Sequence, residues 1–175
     1  MQVRAVCVLQ NPKEQVYGLV NFHQEIDKVY QYPSRNIGDL GPLPKSQRGT
    51  RVYGTIKGLP VGLHGFHIHT YGDLSNGCDS AGPHFNPTQQ DHGSLTSEVR
   101  HVGDFGNLES QGGDVNFDFF VKDLNLFGSQ SIIGRAVIIH ADADDLGRTS
   151  HPLSKTTGNA GARLVCGVIG IAASK

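Results

Sequence analysis

No apolar stretch of this 175-residue chain runs far before Gly, Pro, Asn or Asp interrupts it. An amphipathic helix needs an apolar stripe sustained over about ten residues, whereas a half-buried strand needs only about four to eight residues of alternation. Segments of the second kind recur at Val3–Leu9, Gln15–Phe22, Thr50–Lys57, Gly65–Thr70, Val99–Phe105, Asp114–Val121, Arg135–His140 and Arg163–Ile171. Turn residues separate them, and the chain carries 23 glycines. Eight short strands of this kind predict an all-β fold, a sandwich or barrel. The length suffices for one domain with its own core, and no repeat or linker divides residues 1–175.

The same pattern excludes several classes of function. No apolar run reaches the roughly 20 residues that span a bilayer, so no membrane partner is expected. The chain has 15 basic and 16 acidic residues, a net charge of −1, and no Lys/Arg block. That balance argues against a nucleic-acid partner. The start, MQVRAVCVLQ, lacks a long apolar segment with a small-residue cleavage site. The expected compartment is therefore the cytoplasm, or outside the cell if the chain is a trimmed product.

Three long connections break the strand pattern. Residues 23–49 carry Pro33, Pro42 and Pro44, which argue against a regular strand and for an inserted surface flap or disordered loop. Residues 71–98 hold GDLSNGCDSAGPHFNPTQQDHG, and residues 141–162 hold ADADDLGRTSHPLSKTTGNAGA. Loops of this length in a compact domain tend to carry function, and the second contains two histidines and a cysteine.

Nine histidines are present, and six of them fall at 67, 69, 84, 92, 101 and 140. In the stretch GFHIHT, His67 and His69 stand two apart, so a strand points both rings to one face. Burying two imidazoles in an apolar run is costly without a partner. A metal ion is such a partner, and His140, at the end of another apolar strand, can reach the rim of the same sheet. Downstream lie His84, His92, His101 and Asp104. Imidazoles with one carboxylate suit tetrahedral zinc, and an all-imidazole set suits copper. Six histidines and one aspartate exceed the needs of one ion and fall one donor short of two four-coordinate ions. A bridging imidazolate removes the shortfall, and His84, in the loop between the two sets, is the natural bridge. The bland reading of a single histidine is a surface or hydrogen-bonded residue. It is kept for His23 and His151, expected in solvent, and for His64, expected on nearby backbone.

These residues resemble the copper/zinc superoxide dismutase family. The matching segments are GFHIH, GCDSAGPHFNP, RHVGDFGN, SIIGRAVIIH, ADDLGR and TGNAGARLVCGVIGIA. They run from about Gly54 to the end, and VRAVCVL at the start also fits. The resemblance implies an eight-stranded antiparallel Greek-key barrel or sandwich with a metal-site loop at 71–98 and an electrostatic loop at 141–162. It implies one copper held by His67, His69, His84 and His140, and one zinc held by His84, His92, His101 and Asp104. Asp144 would link a copper-side histidine to a zinc-side one and fix their ring orientation. Arg163 would face the incoming substrate, and Cys78 and Cys166 would form a disulfide. Cytosolic disulfides are otherwise rare; here the motif overrides that expectation. Cys7 reads as a buried free thiol.

The implied activity is disproportionation of superoxide to dioxygen and hydrogen peroxide by copper redox cycling, with His84 and Arg163 as the catalytic side chains. Architecture and electrostatic steering of substrate are both established for that family. It further implies a homodimer formed through an apolar face that includes Gly167-Val168-Ile169-Gly170, and a copper chaperone as a partner. The chain departs from the family in the electrostatic loop. Pro152 and Leu153 stand where an acidic pair is usual, and Lys155 comes one residue early, with Thr156 in the usual lysine position. Lys155 and Arg163 are nevertheless the expected steering residues. Two other readings compete: a non-catalytic copper/zinc-binding protein or chaperone-like domain of the same fold, and a secreted structural sandwich stapled by a disulfide. A chaperone-like domain is expected to lack some copper ligands or Arg163, and none is missing. A purely structural sandwich leaves the histidine pattern without a cause.

Overall fold

A computed structural model describes residues 2–11, 13–25 and 49–173. It contains nine strands among these residues: β1 (Gln2–Asn11), β2 (Val16–Glu25), β3 (Thr50–Lys57), β4 (Gly62–His69), β5 (Ser75–Cys78), β6 (Asp104–Ser110), β7 (Val115–Val121), β8 (Ala136–His140) and β9 (Arg163–Ile171). A 3-10 turn spans Asp79–Ala81 and one helical turn, α1, spans Ser154–Thr157. All strands but β5 form one eight-stranded sheet in the order β6-β4-β8-β9-β1-β2-β3-β7. Its pairings are antiparallel throughout. Phe105 of β6 and Phe119 of β7, on the two end strands, pack with ring centroids 5.4 Å apart. The sheet thus nearly closes on itself as a Greek-key barrel, and no helix among the described residues is long and apolar enough to cross a membrane.

Two-residue alternation builds the interior. On β1, Ala5, Cys7 and Leu9 are buried, and their neighbours Val6 and Val8 point outward. Phe66 sits at the centre, edge-on to Phe105, Phe117 and Phe119 at centroid distances of 5.2, 5.3 and 6.2 Å. Cys7 is a fully buried free thiol, and burial pushes its pKa up to about 12, which keeps it unreactive.

Two segments differ from the sequence pattern. The strand expected at Val99–Phe105 begins at Asp104 instead. The amide of Asp104 donates to the carbonyl of His101 at 3.1 Å, so residues 101–104 form a turn, and Val99 is half-exposed. Turn hydrogen bonding therefore overrides the apolar alternation there. The short strand β5 lies inside the 71–98 connection, where its polar sequence SNGC hides it from periodicity. Of the expected loop 23–49, residues 23–25 complete β2, and residues 26–48 lie outside the described residues.

Candidate metal centre

Strand β4 is where alternation and burial part company. Phe66 and Ile68 enter the barrel, and His67 and His69 point the other way, yet every residue from His64 to His69 is buried. The outward face is covered because the 71–98 and 141–162 connections fold over it. Register places His67 opposite Ile138 and His69 opposite Ala136 on β8, so His140 follows on the same outer face. An isolated bridge between His69 and His84 draws the first long loop onto this face. On the other edge of β4, His67 pairs with Asp104 at the start of β6. Strand pairing thus brings residues distant in sequence to one patch, and the patch is shut off from water.

Two donor groups result. One donor atom from each of His67, His69, His84 and His140 lies within 4.8 Å of the others, and the same holds for His67, His84, His92 and Asp104. All of these side chains are buried. His69 Nε2 lies 3.4 Å from His140 Nε2, a contact between two ring nitrogens of the first group. In the second group, His84 Nδ1 donates to Asp104 Oδ1 at 2.8 Å; His101, expected in this set, lies outside the group, but its Nδ1 stands beside it, 3.1 Å from the same oxygen and 3.4 Å from His84 Nδ1. His67 and His84 belong to both groups, and of these two only His84 has Nδ1 turned to Asp104.

The remaining nitrogens show how the rings are held. His67 Nε2 donates to Asp144 Oδ2, and His92 Nε2 donates to Asp144 Oδ1, each at 2.8 Å. His69 Nδ1 donates to the Gly82 carbonyl at 2.7 Å and His140 Nδ1 to the Gly161 carbonyl at 3.1 Å. Four rings are thus fixed on one side. On the other side, His67 Nδ1, His84 Nε2 and His92 Nδ1 are buried with no hydrogen-bond partner. His92 Nδ1 comes within 2.9 Å of Asp104 Oδ2, but without hydrogen-bond alignment. Buried orphan nitrogens are rare because each costs desolvation. Three of them converging among oriented imidazoles fit metal ions, and the orienting partners have the form of outer-shell carboxylates and carbonyls.

Electrostatics point the same way. Burial, then the neighbouring His84, pushes the pKa of His67 and of His69 down. Burial lowers His140 to about 4. For His92 burial also lowers the pKa, but the nearby carboxylates of Asp104 and Asp144 outweigh it and raise it to about 9. Burial opposes ionisation of Asp104 and Asp144, yet the imidazoles on each hold both well below the usual carboxylate range. The centre therefore pairs imidazoles held neutral at His67, His69, His84 and His140 with carboxylates that stay ionised, while His92 keeps a proton that a bound metal would have to displace.

The 141–162 connection supports this geometry through its backbone. Gly158 has φ of 64°, and a Cβ there would collide with Asp144 Oδ1 and His92 Nε2, so a side chain would break the bond between them. Asn107 on β6 clamps Asp144 from both sides: its Nδ2 donates to the Asp144 carbonyl at 2.9 Å, and its Oδ1 accepts the Asp144 amide at 2.7 Å. Asn107 was not singled out from sequence; its signal was a polar residue inside the strand segment GDFGN.

Arg163, at the start of β9, is half-buried. Its Nη1 donates to the carbonyls of Cys78 at 2.7 Å and Asp79 at 3.2 Å, and its Nη2 donates to that of Gly82 at 2.6 Å. Cys78 and Cys166 form a disulfide across 88 residues of sequence, which ties this segment to β9. Lys155 is exposed, and its Nζ donates to the Gly147 carbonyl at 2.8 Å. His64 lies with its ring nitrogens 2.9 Å from the His140 carbonyl and 3.0 Å from that of Pro60, the backbone role expected. His151 is exposed as expected. His23, expected in solvent, is half-buried on the outer face of β2 between Arg4 and Arg51, and its Nε2 is covered.

Comparison with known proteins follows the same lines. Residues 16–169 match the family model described as copper/zinc superoxide dismutase. A protein of Autographa californica nuclear polyhedrosis virus, provisionally named a copper/zinc superoxide dismutase, is 44% identical over 97% of this chain and 99% of its own length. Superoxide dismutase [Cu-Zn] 2 of Mesembryanthemum crystallinum is 55% identical over 78% of this chain and 88% of its own. The crystal structure of the clock protein EA4 superposes with a TM-score of 0.81 at 41% identity, over 97% of this chain and 94% of that one. The barrel, the buried histidine centre and these matches together make the chain a member of the copper/zinc superoxide dismutase family.

Proposed function

We propose that this protein disproportionates superoxide to dioxygen and hydrogen peroxide. The observation that carries the reading is the pair of buried donor groups that share His67 and His84, beside an anchored guanidinium. His67, His69, His84 and His140 would hold copper, and His84, His92, His101 and Asp104 would hold zinc. His101 is preferred to His67 for the second ion because His67 Nε2 is already committed to Asp144, which leaves it one free nitrogen. When bound, copper supplies one-electron cycling between Cu(II) and Cu(I), and zinc, which has no redox chemistry, supplies a fixed charge.

The chain's own residues supply the rest. Arg163 offers a permanent positive charge with directed N–H donors for a small anion. Its carbonyl partners on Cys78, Asp79 and Gly82 fix where that charge stands. His84 holds and releases a proton at Nε2, the buried nitrogen that has no protein partner. Asp144 keeps His67 and His92 in the tautomers that leave Nδ1 free. Net charge of −1 gives the substrate no overall attraction, so the local field of Arg163 and Lys155 does the steering; such fields raise association rates by roughly 10–10³. Exposed Val8 and Val168, on the outward faces of the adjoining strands β1 and β9, supply an apolar face for a homodimer.

The test is superoxide decay followed directly with protein loaded with copper and zinc, against the metal-free form. Rapid copper-dependent decay supports the enzyme. Verified metal content without acceleration refutes it and leaves copper/zinc binding as the function.

A further inference from the structure

We propose that Asp79 sets the charge selectivity of the anion site, admitting singly charged anions to Arg163 and disfavouring multiply charged oxyanions such as phosphate. The inference rests on the reading of Arg163 as the anion-binding group. The segment Cys78–Gly82 grips the guanidinium through three carbonyls, and one of these belongs to Asp79. The backbone of Asp79 is therefore fixed to the arginine. Its side chain opens the 3-10 turn Asp79–Ala81 and is exposed to solvent. Among the described residues its carboxylate makes no ion pair, so it does not neutralise the guanidinium by contact. Its charge still reaches Arg163: burial lowers the arginine's pKa, and Asp79 is the neighbouring charge that opposes the drop.

A guanidinium alone attracts a dianion twice as strongly as a monoanion, since Coulomb energy scales with charge. A fixed negative charge next to it repels in the same proportion. The pair therefore removes much of the advantage a dianion would have. The directed N–H donors remain for a small monoanion that can approach them closely. Arg163 with Asp79 thus selects by charge, and the arginine with its carbonyl partners selects by shape.

The protein loaded with copper and zinc provides the test. Azide, a monoanion, is titrated through the copper absorption band, and inorganic phosphate, above its second pKa, by calorimetry. Asp79→Asn is expected to tighten both, with the phosphate factor the square of the azide factor. A gain of roughly twofold for azide would accompany roughly fourfold for phosphate at low ionic strength, and salt should shrink both. Asp79→Thr should behave alike. Glu98→Gln removes the same charge on the β7 side, near Lys122 and Asp123, and should change neither affinity. In an Arg163→Gln background the Asp79→Asn gain for phosphate should fall away. Equal factors for azide and phosphate, no gain at all, or an equal effect of Glu98→Gln would overturn the proposal. Charge-dependent gains in a protein that leaves superoxide decay unchanged would sink the dismutase reading and leave the role of Asp79 standing.

Discussion

Removing the disulfide is expected to cost this protein a large share of its stability. The bond closes a loop of 88 residues. Chain-entropy arguments put the loss of loop-closure constraint at ΔS of about 2.1 + 1.5R ln n cal/mol/K, or about 4–5 kcal/mol at 25 °C for a loop of this size. A typical domain is stable by only about 5–15 kcal/mol, so the Cys166→Ser variant should sit near the edge of folding. The variant and the oxidised parent, both metal-free, would be unfolded in urea. The chain has no Trp, so the transition is followed by circular dichroism or tyrosine emission. Comparison should use extrapolated free energies, because the uncrosslinked unfolded chain exposes more surface and steepens the denaturant dependence. A loss below about 1 kcal/mol would refute the entropic reasoning. It would mean that the unfolded chain without the bond retains structure that already keeps the two segments close.

Other expectations concern the centre itself. Asp144→Asn leaves only one oxygen for two imidazole N–H donors, so zinc affinity should fall by about 10–100-fold; competition against a chromophoric chelator reads it, and unchanged affinity would remove Asp144 from the centre. Lys155→Gln should lower the superoxide rate at low ionic strength and change little at high salt; an equal loss at both would count against steering. For the metal-free protein, stability should peak near neutral pH. His140, lowered to about 4, takes up a proton more readily when unfolded, so stability falls as pH drops from the ordinary histidine value towards 4. His92, raised to about 9, binds its proton more tightly when folded, so its contribution is lost as pH rises through 9. Urea midpoints that rise or fall steadily across that range would contradict this.

Much of the molecule could be read before any coordinates. Strands β3 and β9 fall at the expected boundaries because alternation and flanking glycines agree there. The strand at 99–105 was misplaced because His101 and Asp104 answer to a turn, and apolar periodicity carries no trace of a single backbone hydrogen bond. Histidine spacing announced a metal centre, since two residues apart on a strand means one face. Spacing alone could not assign Asp144, Arg163 or the Cys78–Cys166 pair, which came from resemblance. Nor could it find the carbonyls of Cys78 and Gly82 that hold Arg163, because every residue has a carbonyl and only the fold decides which ones converge.

The carbonyl of Gly82 accepts from His69 Nδ1 at 2.7 Å and from Arg163 Nη2 at 2.6 Å. One atom therefore serves as the common datum for the imidazole proposed to hold copper and for the guanidinium proposed to receive the anion. Any tilt of that peptide displaces both in concert, so the distance between them survives small deformations that would spoil two independently mounted parts. The same coupling makes the peptide a single point of failure: a change that misaligns the arginine misaligns the imidazole with it.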